Sequence, residues 1–309
     1  MKFNILLATV VAVFAITACS KQKTVTRTTP KSGIVINYVT EGEGEGWKMG
    51  DFAELEISYY SADGKELFTS ADMVEPIGIP YDTAGWAQSG QFYEVLALLV
   101  KGDSVTFDVD ASDLYTKTFG APSVPDSIGA DSKVSFQLLV KNIYDREGFM
   151  AMRDSVMTIA TLAKVAEKYA EDAVTYKDQV NSEKSTIEAY AKDNGLDVMF
   201  TESGLGYAIT EQGSGENAKA GDNIMAHYSG YLLDGTKFDS SVDRGQPFGF
   251  QLGLARVIRG WDEGFTLLNP GSKATLLIPS SFAYGERGAG GDIPSNAILR
   301  FDVELIEIQ

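Results

Sequence analysis

Most residues that could support chemistry lie in the last third of the chain, where aromatic side chains are dense and turns are frequent. They are Tyr228, Phe238, Asp239, Phe248, Phe250, Trp261, Tyr284 and Phe301. Each aromatic residue, taken alone, is expected to pack in a core. Taken together with their spacing, they form a pattern that is more specific than any one of them.

Other classes of chemistry are disfavoured by the same region. Its sequence contains no cysteine, no Gly-x-Ser-x-Gly turn, no phosphate-binding glycine loop and no cluster of metal-ligating residues. His227 is the only histidine of the chain and lies in the alternating segment Asn223 to Leu233, which is typical of a strand. We expect His227 to be structural, and we expect the protein to need no metal and no cofactor.

Four motifs follow one another in this region: HYSGYLLDGTKFDSSVDRGQPFGF, VIRGWDEGF, FAYGERG and IPSNAILRFDVELI. In this order they resemble the FKBP-type peptidyl-prolyl cis-trans isomerases, and the resemblance covers Leu205 to Gln309. It implies an α+β fold in which a strongly curved antiparallel sheet wraps over one short helix. It places that helix at Arg259 to Leu268 and the final strand at Ile298 to Ile308.

The resemblance also implies the residues of a site. Trp261 would form the floor of a pocket, with walls from Tyr228, Phe238, Phe248, Val257, Ile258 and Phe301. The Ile258 amide and the Tyr284 hydroxyl would bond substrate carbonyls, and Arg244 would order Asp239 and the Tyr228 hydroxyl. The implied catalytic residues are Tyr228, Phe238, Asp239, Trp261 and Tyr284, and the implied substrate-binding residues are Phe248, Val257, Ile258, Ile293, Phe301 and Arg244.

One loop departs from the family pattern. After Tyr284 the segment ERGAGGDIP carries Ala289 and Asp292, where members of the family often have bulky apolar residues, although Ile293 and Pro294 are retained. Because this loop shapes what binds beside the proline, the sequence leaves substrate preference and macrolide affinity open.

The implied reaction needs an apolar pocket and little else. Rotation about an Xaa-Pro amide is slow because a barrier of about 18–20 kcal/mol must be crossed, and no bond is made or broken. The twisted amide is less polar than the planar one, so a dry pocket favours it, and a thousandfold acceleration requires only about 4 kcal/mol. Two functions are consistent with such a pocket: an isomerase that assists protein folding, or a chaperone that binds proline-containing segments without significant turnover.

The N-terminus resembles a bacterial lipoprotein signal. Lys2 precedes an apolar run, Ile5 to Ala15, that is too short to span a bilayer, and the letters ITAC end at Cys19, the only cysteine. We expect a signal peptide over 1–18, acylation of Cys19 and a tether over 19–31. The alternative is a secretory signal cleaved nearby, with Cys19 as a bystander. The lipoprotein interpretation predicts a location in the bacterial cell envelope, at the outer membrane facing the periplasm, with surface display as an alternative.

The charge of the chain restricts its partners. A formal net charge of −17 disfavours nucleic acid and also disfavours adhesion to anionic lipid by charge alone. We therefore expect membrane association through the lipid anchor. The expected ligands are proline-containing segments of unfolded or nascent envelope proteins, with macrolides such as tacrolimus as further candidates.

The middle of the chain, 147–195, has a helical pattern. Apolar residues recur at alternating steps of three and four, at Ile159, Leu162, Ala166, Tyr169, Ala173, Tyr176 and Val180. This seam predicts packing against the protein's own domains, with a homodimer through the helical linker as the alternative. Ser185 and Glu188 predict a capping box that starts a second short helix, which Gly195 would end.

A weak internal repeat relates 32–146 to 196–309. The segment Tyr59 to Ser70 is similar to Gly230 to Ser241, and the Asp-Gly turns align Asp63 with Asp234 at an offset of 171. At this offset Ile57, Leu67 and Phe68 replace Tyr228, Phe238 and Asp239. A second alignment, on Gly102 and Gly271, has an offset of 169 and places Phe92 at the position of Trp261. We therefore expect a degenerate FKBP-like N-terminal domain with little or no isomerase activity.

Overall fold

The computed structural model describes residues 25–309, which divide into two compact units at Phe149 and Met150. The expected signal peptide and the lipidation site at Cys19 lie outside the described residues. None of the helices in the described part of the chain is both long enough and apolar enough to cross a membrane. We refer to the two parts as the first unit and the second unit, and we describe each by itself.

The first unit consists of a seven-stranded antiparallel sheet and short helices. Its strands are β1 (Val25–Thr28), β2 (Val35–Thr40), β3 (Phe52–Tyr60), β4 (Glu66–Thr69), β5 (Ile77–Pro80), β6 (Ser104–Asp110) and β7 (Lys133–Tyr144). Its helices are α1 (Thr83–Trp86), α2 (Gln91–Leu96) and α3 (Ala111–Asp113), the last followed by a π-helical turn at Leu114–Thr118.

Two helices follow, α4 (Arg146–Thr175) and α5 (Lys177–Asp193), and only Tyr176 separates them. The predicted capping box is wrong. Ser185 lies inside α5, which already begins at Lys177, and the Ser185 hydroxyl donates to the carbonyl of Ser182 at 3.3 Å. The predicted end at Gly195 is confirmed, because Gly195 follows α5 with a φ of 67°, the left-handed conformation that ends many helices.

The second unit continues with another seven-stranded antiparallel sheet and one short helix. Its strands are β8 (Met199–Phe200), β9 (Gly206–Glu211), β10 (Asn223–Leu232), β11 (Lys237–Ser240), β12 (Phe248–Gln251), β13 (Lys273–Ile278) and β14 (Leu299–Ile308). The helix is α6 (Arg259–Gly264), which a 3-10 turn at Phe265–Leu267 extends. The α+β fold, with its short helix and its long final strand, confirms the expectation from the motifs.

Both sheets have the same strand order. The first is ordered β1-β2-β6-β7-β3-β4 with β5 also paired to β3, and the second β8-β9-β13-β14-β10-β11 with β12 also paired to β10. Even the irregularities correspond, since β3 is bulged between Glu54 and Leu55 and β10 between Met225 and Ala226, again at an offset of 171. This shared topology agrees with the fold that the internal repeat predicted.

Packing of the second unit follows from the alternation of buried and more exposed residues along β10. Ile224, Ala226 and Tyr228 point to the buried side of the sheet, and α6 lies across that side. Phe265, fully buried, extends the contact beyond the end of α6. Gly264 allows the close approach of helix and sheet, because a Cβ at this position would lie 2.6 Å from a methyl group of Leu276. The sheet and helix thereby bring the aromatic residues of four strands and one helix to one place.

Candidate active site

A cavity of about 200 Å³ opens on the second unit between the sheet and α6. It is lined by Tyr228, Phe238, Asp239, Phe248, Arg256, Val257, Ile258, Trp261, Tyr284 and Phe301. Strands β10, β11, β12 and β14 contribute Tyr228, Phe238, Asp239, Phe248 and Phe301, while α6 contributes Trp261. The structure therefore brings together nine of the residues that the motifs implied, and it adds Arg256, which no motif indicated.

Trp261 lies at the floor of the cavity, and its side chain is only 5% exposed. Its ring makes edge-to-face contacts with Tyr228 at 4.7 Å and with Phe301 at 5.2 Å between centroids. Edge-to-face geometry is favourable for aromatic pairs and holds the rings in one arrangement. The indole Nε1 is buried and has no hydrogen-bond partner among the described residues, so the floor carries one unused donor.

Phe238 reaches its place only because its neighbour on the adjacent strand is a glycine. A Cβ at Gly230 would lie 2.6 Å from the Phe238 ring and 2.7 Å from the Phe301 ring. Carbon atoms cannot approach so closely without displacing one of the rings. Gly230 therefore leaves the space in which the Phe238 and Phe301 rings pack edge to face, at 5.5 Å between centroids.

A polar network joins three side chains at the rim of the cavity. The Tyr228 hydroxyl donates to Asp239 Oδ2 at 2.5 Å, and Arg244 donates to the Tyr228 hydroxyl at 2.8 Å and also forms an ion pair with Asp239. Burial alone would raise the pKa of Asp239, but the hydrogen bonds from Tyr228 and Arg244 outweigh it and hold that pKa below its ordinary value. Arg244 thus orders Asp239 and the Tyr228 hydroxyl, although it does not line the cavity.

The same hydrogen-bond network also changes the pKa of the Tyr228 phenol. Burial, and then the hydrogen bond to Asp239, raises the pKa of the Tyr228 hydroxyl. Tyr228 therefore remains a neutral donor over the physiological range, and Asp239 remains a carboxylate. The rim consequently has a fixed pattern of donors and acceptors that does not change near neutral pH.

The loop before α6 supplies the opposite wall. Val257 and Ile258 line the cavity, and Ile258 is the N-cap of α6 with an extended backbone. Within the described residues the Ile258 amide donates no hydrogen bond, so it is free to bind an acceptor of a ligand. This is the amide that the resemblance implied would hold a substrate carbonyl.

Tyr284 and Ile293 belong to the segment between β13 and β14. Tyr284 lines the cavity and is 40% exposed, and burial followed by the charge of Asp239 raises the pKa of its hydroxyl. Ile293 does not line the cavity. It is buried and forms a two-way backbone bridge with Ala289, which closes the loop after Tyr284.

The corresponding region of the first unit is filled by aromatic rings. Strand pairing places Tyr59 opposite Phe68 and Phe136, as Gly230 lies opposite Asp239 and Phe301. The Tyr59 ring stacks on Phe68 at 5.3 Å and contacts Phe136 at 5.2 Å between centroids. Tyr59 was missed in the sequence comparison, although the offset of 171 already aligned it with Gly230.

The antiparallel sheet, the short helix and the aromatic cavity place the second unit in the prolyl isomerase class. Comparison with known proteins agrees. The family model for FKBP-type peptidyl-prolyl cis-trans isomerases matches residues 214–306. An FK506-binding protein of Neisseria meningitidis is 52% identical over 98 residues, which are 32% of this chain and 90% of that protein. The chain belongs to the FKBP-type peptidyl-prolyl cis-trans isomerase family.

Longer relatives share more of the chain. The isomerase FkpA of Aeromonas hydrophila is 43% identical over 186 residues, which are 57% of this chain and 66% of that protein. The crystal structure of FkpA from Escherichia coli is 35% identical and covers 53% of this chain and 69% of that one, with a TM-score of 0.37. The chain spans between 51 and 66% of the length of the first three curated relatives that it matches.

Proposed function

We propose that the protein is a peptidyl-prolyl cis-trans isomerase that assists protein folding in the bacterial cell envelope. One observation carries the proposal: an aromatic cavity floored by Trp261 meets the polar network of Tyr228, Asp239 and Arg244 at its rim. The cavity accepts a proline ring, and the rim orients the amide that precedes it. Tyr228, Phe238, Asp239, Trp261 and Tyr284 act in catalysis, and Phe248, Val257, Ile258 and Phe301 bind substrate. Arg244 and Ile293 act indirectly, because neither lines the cavity.

The mechanism is desolvation and twisting of the Xaa-Pro amide. Water solvates the planar amide better than the twisted one, so transfer into an apolar cavity lowers the energy of the twisted state relative to the planar state. The Ile258 amide and the Tyr284 hydroxyl hold the flanking carbonyls while the bond turns, which fixes the orientation of the substrate. No proton transfer is required, because no covalent bond changes.

Proline-containing segments of unfolded or nascent envelope proteins are the proposed substrates. The relative from Neisseria meningitidis carries FK506 binding in its name, and we extend this property to the present cavity, which would bind macrolides such as tacrolimus. The location rests on the signal-like N-terminus with Cys19 and on the similarity to FkpA. In this proposal Cys19 anchors the protein by a lipid, at the outer membrane facing the periplasm.

A second candidate function is that of a chaperone that binds proline-containing segments without significant turnover. A groove of about 260 Å³ on the first unit favours it, because Tyr81, Trp86, Tyr93 and Leu98 form much of its surface. Such an apolar surface could bind unfolded segments. Dimerisation through α4 is a further alternative, in which the exposed residue Ile159 would contact a second copy of the chain.

The test is prolyl exchange in an Ala-Leu-Pro-Phe-type peptide, followed by NMR with the purified protein. Fast exchange that tacrolimus inhibits and that a Tyr228/Asp239 double substitution abolishes would support the isomerase. Exchange at the background rate, with the fold intact and the peptide bound, would refute the isomerase and support the chaperone.

A further inference from the structure

Helix α4 contacts the catalytic domain through a buried carboxylate. The Tyr169 hydroxyl donates to Asp262 Oδ2 at 2.8 Å, and Asp262 is only 4% exposed. The same carboxylate accepts the amide of Gly253 at 2.7 Å and the amide of Ala255 at 3.0 Å. Asp262 therefore connects Tyr169 to the loop that leads into the cavity wall at Val257 and Ile258.

That loop contains a residue in an unusual backbone conformation, which surrounding contacts must stabilise. Ala255 has a φ of 53°, a left-handed conformation that residues with a Cβ rarely adopt. Residues in such conformations persist when surrounding contacts hold them in place. Here the contacts are the two hydrogen bonds to Asp262, and Tyr169 fixes the orientation of that carboxylate.

Further contacts place α4 against the same region. The Arg259 guanidinium, buried at the start of α6, lies 3.9 Å from the Phe282 ring and 5.3 Å from the Tyr169 ring. Leu162, two turns before Tyr169, has a methyl group 3.2 Å from the position that a Cβ on Gly253 would take. Cation–π contact and close packing thus join α4 to both ends of the loop.

Helix α5 contacts the segment that leads to Tyr284 in a similar way. Glu183 accepts hydrogen bonds from the Ser280 amide at 2.7 Å and from the Ser280 hydroxyl at 2.6 Å. Gln179 donates to the same hydroxyl at 2.7 Å. Ser280 is fully buried and begins the 3-10 turn that precedes Tyr284, so Glu183 anchors the start of the segment that carries the Tyr284 hydroxyl.

In the first unit, different residues occupy the positions that make these contacts in the second unit. At the offset of 169, Tyr93 occupies the position of Asp262 and Gly90 that of Arg259. The carboxylate and the guanidinium that receive α4 therefore belong to the unit with the open aromatic cavity. Both Tyr169 and Glu183 lie outside the residues 214–306 that the family model matches, so their contribution is a property of this longer chain.

We propose that Tyr169 and Glu183 are positioning residues for prolyl isomerisation. Tyr169 holds the loop that presents the Ile258 amide, and Glu183 holds the segment that presents Tyr284. Neither residue touches the cavity. They order its two polar walls before the substrate arrives, which raises the affinity for the substrate because less ordering remains to be done on binding. This inference rests on the proposed isomerase function.

The test compares Tyr169→Phe with Tyr176→Phe, a matched substitution at an exposed position between the two helices. Loss of one hydrogen bond to Asp262 should speed amide exchange at Gly253 and Ala255 about fivefold, and should raise KM about threefold with kcat changed less than twofold. Amides of β10 serve as the internal reference for global stability. In the same way Glu183→Ala should raise KM, whereas Glu188→Ala, on the solvent side of α5, should not.

The outcomes separate this inference from the proposed function. Equal exchange at Gly253 and Ala255 in Tyr169→Phe and Tyr176→Phe would overturn the positioning role, whatever the activity. A fall in kcat with KM unchanged would also overturn it. Faster exchange at both amides in a protein without isomerase turnover would refute the proposed function and leave the loop contact of Tyr169 established.

Discussion

Tyr59 of the first unit occupies the strand position that Gly230 occupies in the second. Each is paired with the equivalent residue of the final strand of its sheet, Phe136 in one case and Phe301 in the other. The glycine leaves room for the Phe238 and Phe301 rings that line the cavity, whereas the Tyr59 ring itself packs against Phe68 and Phe136. This position is one at which two sheets of the same topology differ in how their aromatic rings pack.

The first prediction concerns this space. Gly230→Ala should lower kcat/KM at least tenfold, because the new methyl group would displace the Phe238 or Phe301 ring from the cavity wall. Steady-state isomerase kinetics measure the effect. Gly46→Ala is the matched control, since a Cβ at Gly46 would meet no atom within 4 Å. Equal activity of the two variants would contradict the role assigned to Gly230.

A second prediction concerns the carboxylate at the rim. Asp239→Asn removes the charge that Arg244 and Tyr228 bind, and should lower kcat/KM about tenfold while peptide affinity falls less. Single-turnover exchange and peptide titration separate the two quantities. Asp243→Asn, which removes an exposed carboxylate paired with Lys237, should leave both unchanged. A loss of affinity as large as the loss of rate would argue against a catalytic role for Asp239.

The third prediction is the pH dependence. The pKa of Asp239 is lowered in the folded protein, so its ionised network contributes stability above the ordinary carboxyl pKa and loses it as the pH falls through the lowered value. The pKa of Tyr228 is raised, so its neutral form persists until the pH rises beyond the ordinary phenol value. The rate should therefore be flat between about pH 5 and pH 9. A bell-shaped profile centred near neutral pH would contradict a mechanism without acid–base catalysis.

Much of this site could be predicted because its residues lie in contiguous motifs. Trp261 and the aromatic residues around it were expected from their order in the sequence, and the structure gathers them at one cavity. The start of α5 could not be predicted in this way. The capping box at Ser185 was misleading because its residues satisfy a local pattern inside a longer helix, where tertiary packing of Val180 and Ile187 extends the helix toward the N-terminus.

The sequence patterns did not indicate contacts between residues that are far apart in the chain. Tyr169 appeared only as one member of an apolar seam, and nothing in its neighbourhood pointed to Asp262, 93 residues away. Arg256 was missed for a similar reason, since a charged loop residue is normally assigned to solvent. Ile293 was expected to bind substrate, and the structure shows instead a buried residue that closes a loop. Sequence motifs identify residue types, whereas such partners follow from the three-dimensional arrangement.

A fourth prediction concerns Phe265, which packs against Trp261 at the floor of the cavity. Phe265 is fully buried and contacts the Trp261 ring edge to face at 5.6 Å. Phe265→Ala should lower the free energy of unfolding by about 3–5 kcal/mol. Urea unfolding measures the change, with Val242→Ala at an exposed position as the control. A loss below about 1 kcal/mol would show that Phe265 is not part of the tightly packed core.

We expect prolyl turnover to belong to the cavity of the second unit. Prolyl exchange should be measured with the whole chain in two variants at equivalent positions, Trp261→Leu in the second unit and Phe92→Leu in the first. We expect Trp261→Leu to abolish most of the catalysed exchange and Phe92→Leu to retain the activity of the unaltered protein. Loss of activity in Phe92→Leu, with Trp261→Leu still active and both folded, would contradict it.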